Sequence, residues 1–240
     1  MNNPTSNTPL LPFLRVLVWD APVRVCYALM VACFTGAYLT AGQEEWRIVH
    51  ATSGYTLGGL AIFRIIWGFA GTRYARFSSF LRGPGAIANQ LRQLPYGWAK
   101  RHIGHSPVGA LLIIGVLMLS LVAGASGWAS SGTPAADWLE QFHTTAANVL
   151  LAVAGLHIAT VAFGSWRAGE NPVLSMIRGS KLGSADESIQ NARGGVALLL
   201  VAAVLGFWWY QLESAGAATS APEQRTPVTE VHRGQDGDKP

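Results

Sequence analysis

The sequence predicts an all-α, polytopic membrane protein, and three features carry that reading. Half of its 240 residues are apolar and only 12% are charged, against about a quarter in a soluble globular domain. Mean hydropathy is +0.28. The apolar residues gather in runs of the roughly 20 residues a helix needs to cross a bilayer, and the charges gather in alternate connections. Two cysteines are too few for a disulfide scaffold or a cysteine-rich metal fold. The net charge of +4 is spread among the connections rather than pooled in a basic block, so no nucleic-acid partner is expected.

Five spans follow in order, at about residues 21–41, 50–71, 107–126, 138–164 and 194–212. The first is too long, and too poor in a small-residue cleavage pattern, to be a signal peptide. The connection after the second span holds Arg73, Arg76, Arg82, Arg92, Lys100 and Arg101 without an acid, and that after the fourth holds Arg167, Arg178, Lys181 and Arg193. Glu44, Glu45, Asp137 and Glu140 lie in the opposite set. Positive charge marks the cytoplasmic side, so the N-terminus, with Arg15 and Arg24, is expected inside and the C-terminus outside. Residues 1–13 and 214–240 have few apolar residues to bury and are expected to be disordered. The connection 72–106 is expected to carry a short interfacial helix near Ile87–Leu94. Trp208, Trp209 and Tyr210 mark the outer end of the fifth span.

Three of the six histidines, His50, His143 and His157, fall within or at the ends of spans, where ionisable groups are costly and mark function. His143 and His157 are 14 residues apart, which on a helix is about 21 Å of rise and within about 40° of one face. His50 and His143 share the outer level; His157 lies toward the cytoplasm. Two histidines at one depth on separate helices suit a planar macrocycle that holds iron. Zinc would need three or four clustered donors, and a proton relay would need intramembrane acids; neither set is present in the sequence. No nucleophile–base pair, phosphate-cradling glycine loop or hydrolytic carboxylate pair points to a hydrolase or transferase. The first span offers no histidine at the depth of His157, where Cys26 stands.

Several motifs now carry a resemblance. They are Val18-Trp19-Asp20 with Arg24, His50 through Tyr55, Phe63-Arg64-Ile-Ile-Trp67-Gly68-Phe69, and Gly71 through Phe77. Further along stand Gly104-His105-Ser-Pro107-Val-Gly109, His143, Leu156-His157-Ile158, and Glu170-Asn171-Pro172 leading to Met176 through Gly179. In these the sequence resembles the bacterial cytochrome b561 family over about residues 14–182, most closely the branch of the membrane cytochrome b subunits of nickel–iron hydrogenases. The resemblance implies a four-helix haem-binding core at 14–182, with residues 183–213 adding a linker and a fifth helix outside it.

It also implies two haems b, each held by histidines of two helices. His50 and His143 match the ligands of the outer haem and His157 matches one ligand of the inner haem. The family's other inner ligand sits in a first-span Arg-x-x-His-Trp pattern, where this chain reads Arg24-Val25-Cys26-Tyr27. Three readings of Cys26 stay open: a thiolate ligand to the inner iron, a bystander to an iron held by His157 alone, or a buried thiol beside no haem, leaving one per chain. His105 is either a substitute ligand or a residue of the third helix start. Arg24, Arg64 and Arg76 suit haem propionates or serve as positive-inside charges; Gly54, with Gly58 and Gly59, lets a flat ring or a neighbouring helix come close.

The implied function is haem-b electron transfer across the bacterial inner membrane, as a subunit of an oxidoreductase rather than a stand-alone catalyst. It links a periplasmic redox partner (dehydrogenase, hydrogenase or c-type cytochrome) to quinone or the inner haem site. The alternative is a membrane anchor or assembly subunit of a redox complex that carries one haem or none.

Overall fold

The computed structural model describes residues 14–81, 106–131, 137–168 and 171–220, with positions 83, 85, 88, 89 and 92 besides. The expected helix near Ile87–Leu94 and the termini 1–13 and 221–240 lie mostly or wholly outside the described residues. Five long helices dominate: α1 (Ala21–Leu39), α2 (Arg47–Ala70), α4 (Pro107–Ser131), α5 (Asp137–Ala168) and α7 (Gly194–Ser220). Short α3 (Phe77–Phe80) and α6 (Pro172–Arg178) lie in the connections. Each long helix covers the apolar run read from sequence, but for the last two residues of the first run and the last residue of the second. α7 continues through Ser214–Ser220, inside the tail expected to be disordered.

Among the described residues, α1, α4, α5 and α7 are long and apolar enough to cross a membrane. α2 is not among them. Its 24 residues reach about 36 Å, but it is the central helix, packed on α1, α4 and α7. It buries Thr52, Ser53, Thr56 and Arg64 against its neighbours, while Ile62, Ile66 and Phe69 on its other face stay exposed. The long helices alternate in direction. His50, near the start of α2, meets the carbonyl of Ala37 near the end of α1; Tyr55 of α2 meets Ser131 at the end of α4. α5 runs back along α4, with Val153 beside Gly115. Trp208 of α7 donates from Nε1 to Thr56 Oγ1 at 2.9 Å, tying the fifth helix to α2. The apolar core runs from Cys26, Met30 and Cys33 through Leu57, Leu60 and Ala61 to Ile113, Leu117 and Leu150.

One end of the bundle carries a feature that an all-α reading does not include, a two-stranded antiparallel sheet of β1 (Leu14–Leu17) and β2 (Ser180–Gly183). Its strands are four residues each and come from opposite ends of the core, so no local pattern announces the pairing. Val18 and Trp19 both donate backbone N–H to the Gly179 carbonyl, at 2.9 and 3.0 Å. α6 begins at Asn171, whose Oδ1 accepts from Leu174 N at 2.9 Å, and ends on left-handed Gly179.

Asp20 bolts this end together. It is buried, caps α1 through the Val23 N–H at 2.9 Å, and accepts from Trp67 Nε1 at 3.0 Å and Thr72 Oγ1 at 2.7 Å. The motif residues Val18-Trp19-Asp20 and Trp67 thus fix the crossing of α1 and α2.

Candidate haem site

At the end of the bundle far from the sheet, His50 and His143 face one another. Their ring centroids are 6.1 Å apart with planes at 81°. His50 Nδ1 lies 2.8 Å from the Ala37 carbonyl oxygen, and His143 Nδ1 lies 3.0 Å from that of Ala123. Ser126 Oγ, 3.3 Å from the same nitrogen, donates to the Ala123 carbonyl as well. A carbonyl accepts only, so each Nδ1 carries the hydrogen and each Nε2 keeps its lone pair. Neither Nε2 has a hydrogen-bond partner among the described residues. Two neutral imidazoles, oriented through their second nitrogens by fixed backbone oxygens, form a prepared pair of metal ligands.

The spacing agrees. Imidazole centroids sit about 1.1 Å behind their nitrogens, and nitrogen–metal bonds are about 2.0–2.1 Å, so two rings flanking one metal have centroids about 6.2–6.4 Å apart. Gly127 makes room: a Cβ there would stand 2.9 Å from His143 Cε1. One turn along α2 from His50, a Cβ on Gly54 would meet nothing within 4 Å, which leaves an open flank beside the histidine pair. Among the described residues no three His, Cys, Asp or Glu side chains gather. Two nitrogens per metal suit a macrocycle that brings its own four donors.

A second layer lies toward the sheet end. His157 is 14 residues beyond His143 on α5, and Arg64 is 14 beyond His50 on α2. Since α2 and α5 run in the same direction from the histidine pair, both residues lie about 21 Å below it. His157 Nδ1 is buried without a hydrogen-bond partner among the described residues. Arg64 is fully buried, with Nε donating to Tyr27 Oη at 3.3 Å and both terminal nitrogens unpartnered among the described residues. Its guanidinium carbon lies 5.6 Å from the Tyr27 ring and 5.4 Å from that of Phe77.

Three further candidates, Cys26, Arg24 and Arg76, are among the described residues. Cys26 is fully buried, with Sγ turned to the Leu60 carbonyl oxygen at 3.5 Å and the side chain inside the apolar cluster. No hydrogen bond joins it to His157 Nδ1 among the described residues. Arg24 Nη2 donates to the Ile177 carbonyl at the end of α6, a tie between connections. Arg76 is exposed. His105 lies outside the described residues.

The profile of the prokaryotic cytochrome b561 family matches residues 18–179, spanning every motif from Val18 to Gly179. The chain belongs to the prokaryotic cytochrome b561 family. No curated protein and no solved structure matches it. Membership makes it an integral membrane protein of haem-b electron transfer, and the opposed imidazoles fit that cofactor. Sequence reasoning assigned no role to Asp20, Ser126, Gly127 or Tyr27. The last had a visible signal, because the Arg-x-x-His spacing counted from Arg24 lands on Tyr27, one residue beyond Cys26.

Proposed function

We propose that this cytochrome b carries two haems stacked across the membrane and passes electrons between a periplasmic redox protein and quinone. The observation that supports it is the His50–His143 pair, each ring anchored through Nδ1 to a carbonyl of a neighbouring helix. A bound haem supplies one-electron iron chemistry; the chain supplies ligands, spacing and a low-dielectric setting. Ala37 and Ala123 hold the two imidazoles in the ligating tautomer. Ser126 and Gly127 fix the position of the His143 ring. His157 offers one ligand to the second haem. Arg64 brings to the same level a buried positive charge that calls for an anion, either a propionate or an anionic ligand of the iron.

The ends differ in charge as the orientation requires. Arg15, Arg24, Arg73, Arg76, Arg178, Lys181 and Arg193 lie at the sheet end, and Glu44, Glu45, Asp137 and Glu140 at the far end. This supports a cytoplasmic sheet end and a periplasmic His50–His143 layer. The C-terminus then lies in the periplasm. The periplasmic partner is a dehydrogenase, a hydrogenase or a c-type cytochrome. An open pocket of about 580 Å³ between α2, α4 and α7, lined by Tyr55, Thr56, Trp128, Val204 and Phe207, has the size and apolar lining that suit a quinone ring.

The test is a reduced-minus-oxidised spectrum with pyridine haemochrome on the purified chain. The expected result is a b-type spectrum, two haems per chain, and loss of one component in His143→Ala. A colourless, folded preparation overturns the proposal and leaves the anchor reading.

A further inference from the structure

We propose that Tyr27, rather than Cys26, is the α1 ligand of the second iron, opposite His157, with the Arg64 guanidinium balancing the charge of its oxygen. The inference rests on the two-haem reading above and names the missing ligand of its second site.

Two independent alignments bring Tyr27 to the level of His157. The first runs through α2: Tyr27 Oη touches Arg64, and Arg64 stands as far below His50 as His157 stands below His143. The second runs directly between α1 and α5, where Tyr38 Oη donates to Asn148 Oδ1 at 3.3 Å. These two helices run in opposite directions. Eleven residues back from Tyr38 is Tyr27, and eleven forward from Asn148 is position 159, two residues past His157. The difference in depth is about 3 Å.

The chemistry singles out the same residue. Cys26 is committed to the α1–α2 seam, its thiol on the Leu60 carbonyl. Tyr27, about 100° further round the helix, is half-buried at the edge of the core cluster. A phenolate is an established axial ligand of haem iron. It brings a negative charge into a low-dielectric layer, where an unbalanced charge is costly. Arg64 answers that need: buried, with no acidic partner among the described residues, and with Nε already on the phenol oxygen. The two unpartnered terminal nitrogens of Arg64 leave a buried positive charge at this level with no anion beside it among the described residues. Ligation exchanges the phenol O–H bond for an oxygen–iron bond; the proton leaves to water at the adjacent sheet end, and no electron moves.

The experiment is resonance Raman spectroscopy of the oxidised, haem-loaded full chain, grown with ordinary or ring-deuterated tyrosine, beside pyridine haemochrome. Two haems per chain are expected, with phenolate modes that shift with the label, vanish in Tyr27→Phe and survive Cys26→Ala. Tyr27→His is expected to turn the second haem into another bis-imidazole centre, doubling the low-spin ferric electron paramagnetic resonance signal. Should Tyr27→Phe fail to fold, the label shift in the unsubstituted chain decides. Two haems without label-sensitive modes, or modes that disappear in Cys26→Ala alone, overturn the tyrosine ligand and leave the two-haem reading standing. One haem per chain overturns both.

Discussion

Replacing Gly127 by Ala adds one methyl group at the tightest point of the histidine pair. Its carbon would lie 2.9 Å from Cε1, 3.1 Å from Nδ1 and 3.6 Å from Nε2 of His143. Carbon atoms rest about 3.5–4.0 Å apart, so the ring must retreat by roughly 0.5–1 Å. The Nδ1 bond to the Ala123 carbonyl, now 3.0 Å, is then stretched or broken, at a net cost of about 0.5–1.5 kcal/mol. The larger effect is on the ligand. Losing the partner that orients a metal-binding histidine typically lowers metal affinity by about 10–100-fold, or about 1.4–2.7 kcal/mol. The helix itself gains, since alanine is favoured over glycine by about 1 kcal/mol in a helix interior. The variant is therefore expected to fold at least as well while releasing the His50–His143 haem about 10–100 times faster. Haem transfer from detergent-solubilised protein to an excess of apo-acceptor measures this. Unchanged release with an unchanged low-temperature spectrum would refute the reasoning, because the ring would then not be held where the contact requires.

Three further outcomes follow from the sheet end and the fifth helix. Asp20→Ala orphans the half-buried Trp67 N–H and Thr72 hydroxyl and removes the cap of α1. A loss of about 3–5 kcal/mol is expected by denaturant unfolding in micelles, and Asp20→Asn should recover part of it. Tyr74 Oη donates to the Glu187 carbonyl at 2.9 Å, and burial pushes its hydroxyl above the usual value of 10.0. The folded chain then holds this proton after the unfolded chain has lost it. The stabilisation is complete below pH 10 and fades as pH rises through the folded value; Tyr74→Phe should flatten that alkaline limb of thermal stability. Trp208→Phe leaves Thr56 Oγ1 without its α7 donor; a loss of about 0.5–1.5 kcal/mol is expected, with the haem spectrum unchanged.

The helices were legible because a span must be apolar along most of its length, and α1, α4, α5 and α7 satisfy that condition residue by residue. α2 was legible despite its polar content, from the same length argument and from His50 at its head. The His50–His143 encounter followed from depth alone, since each histidine stands near one end of its helix and those ends coincide. What depth cannot supply is azimuth. Cys26 and Tyr27 are neighbours in sequence and both meet α2, the thiol at the Leu60 carbonyl and the phenol at Arg64, one turn further along that helix. The Arg-x-x-His spacing counted from Arg24 singles out Tyr27; what each side chain touches emerges only once α2 is laid alongside. The same holds for Gly127, whose missing side chain matters only because His143 fills the space. Asp20 read as one acid in a motif, because its three partners come from Val23, Trp67 and Thr72 and meet only in the folded end. The β1–β2 pairing joins residues more than 160 positions apart, beyond any local periodicity.

Near-infrared magnetic circular dichroism of the oxidised chain reads the axial ligands of each low-spin haem directly. A bis-imidazole band is expected in the unsubstituted protein, and the loss of that one band in His50→Ala and in His143→Ala alike. A band that survives either substitution would mean that these two rings, 6.1 Å apart, do not share an iron.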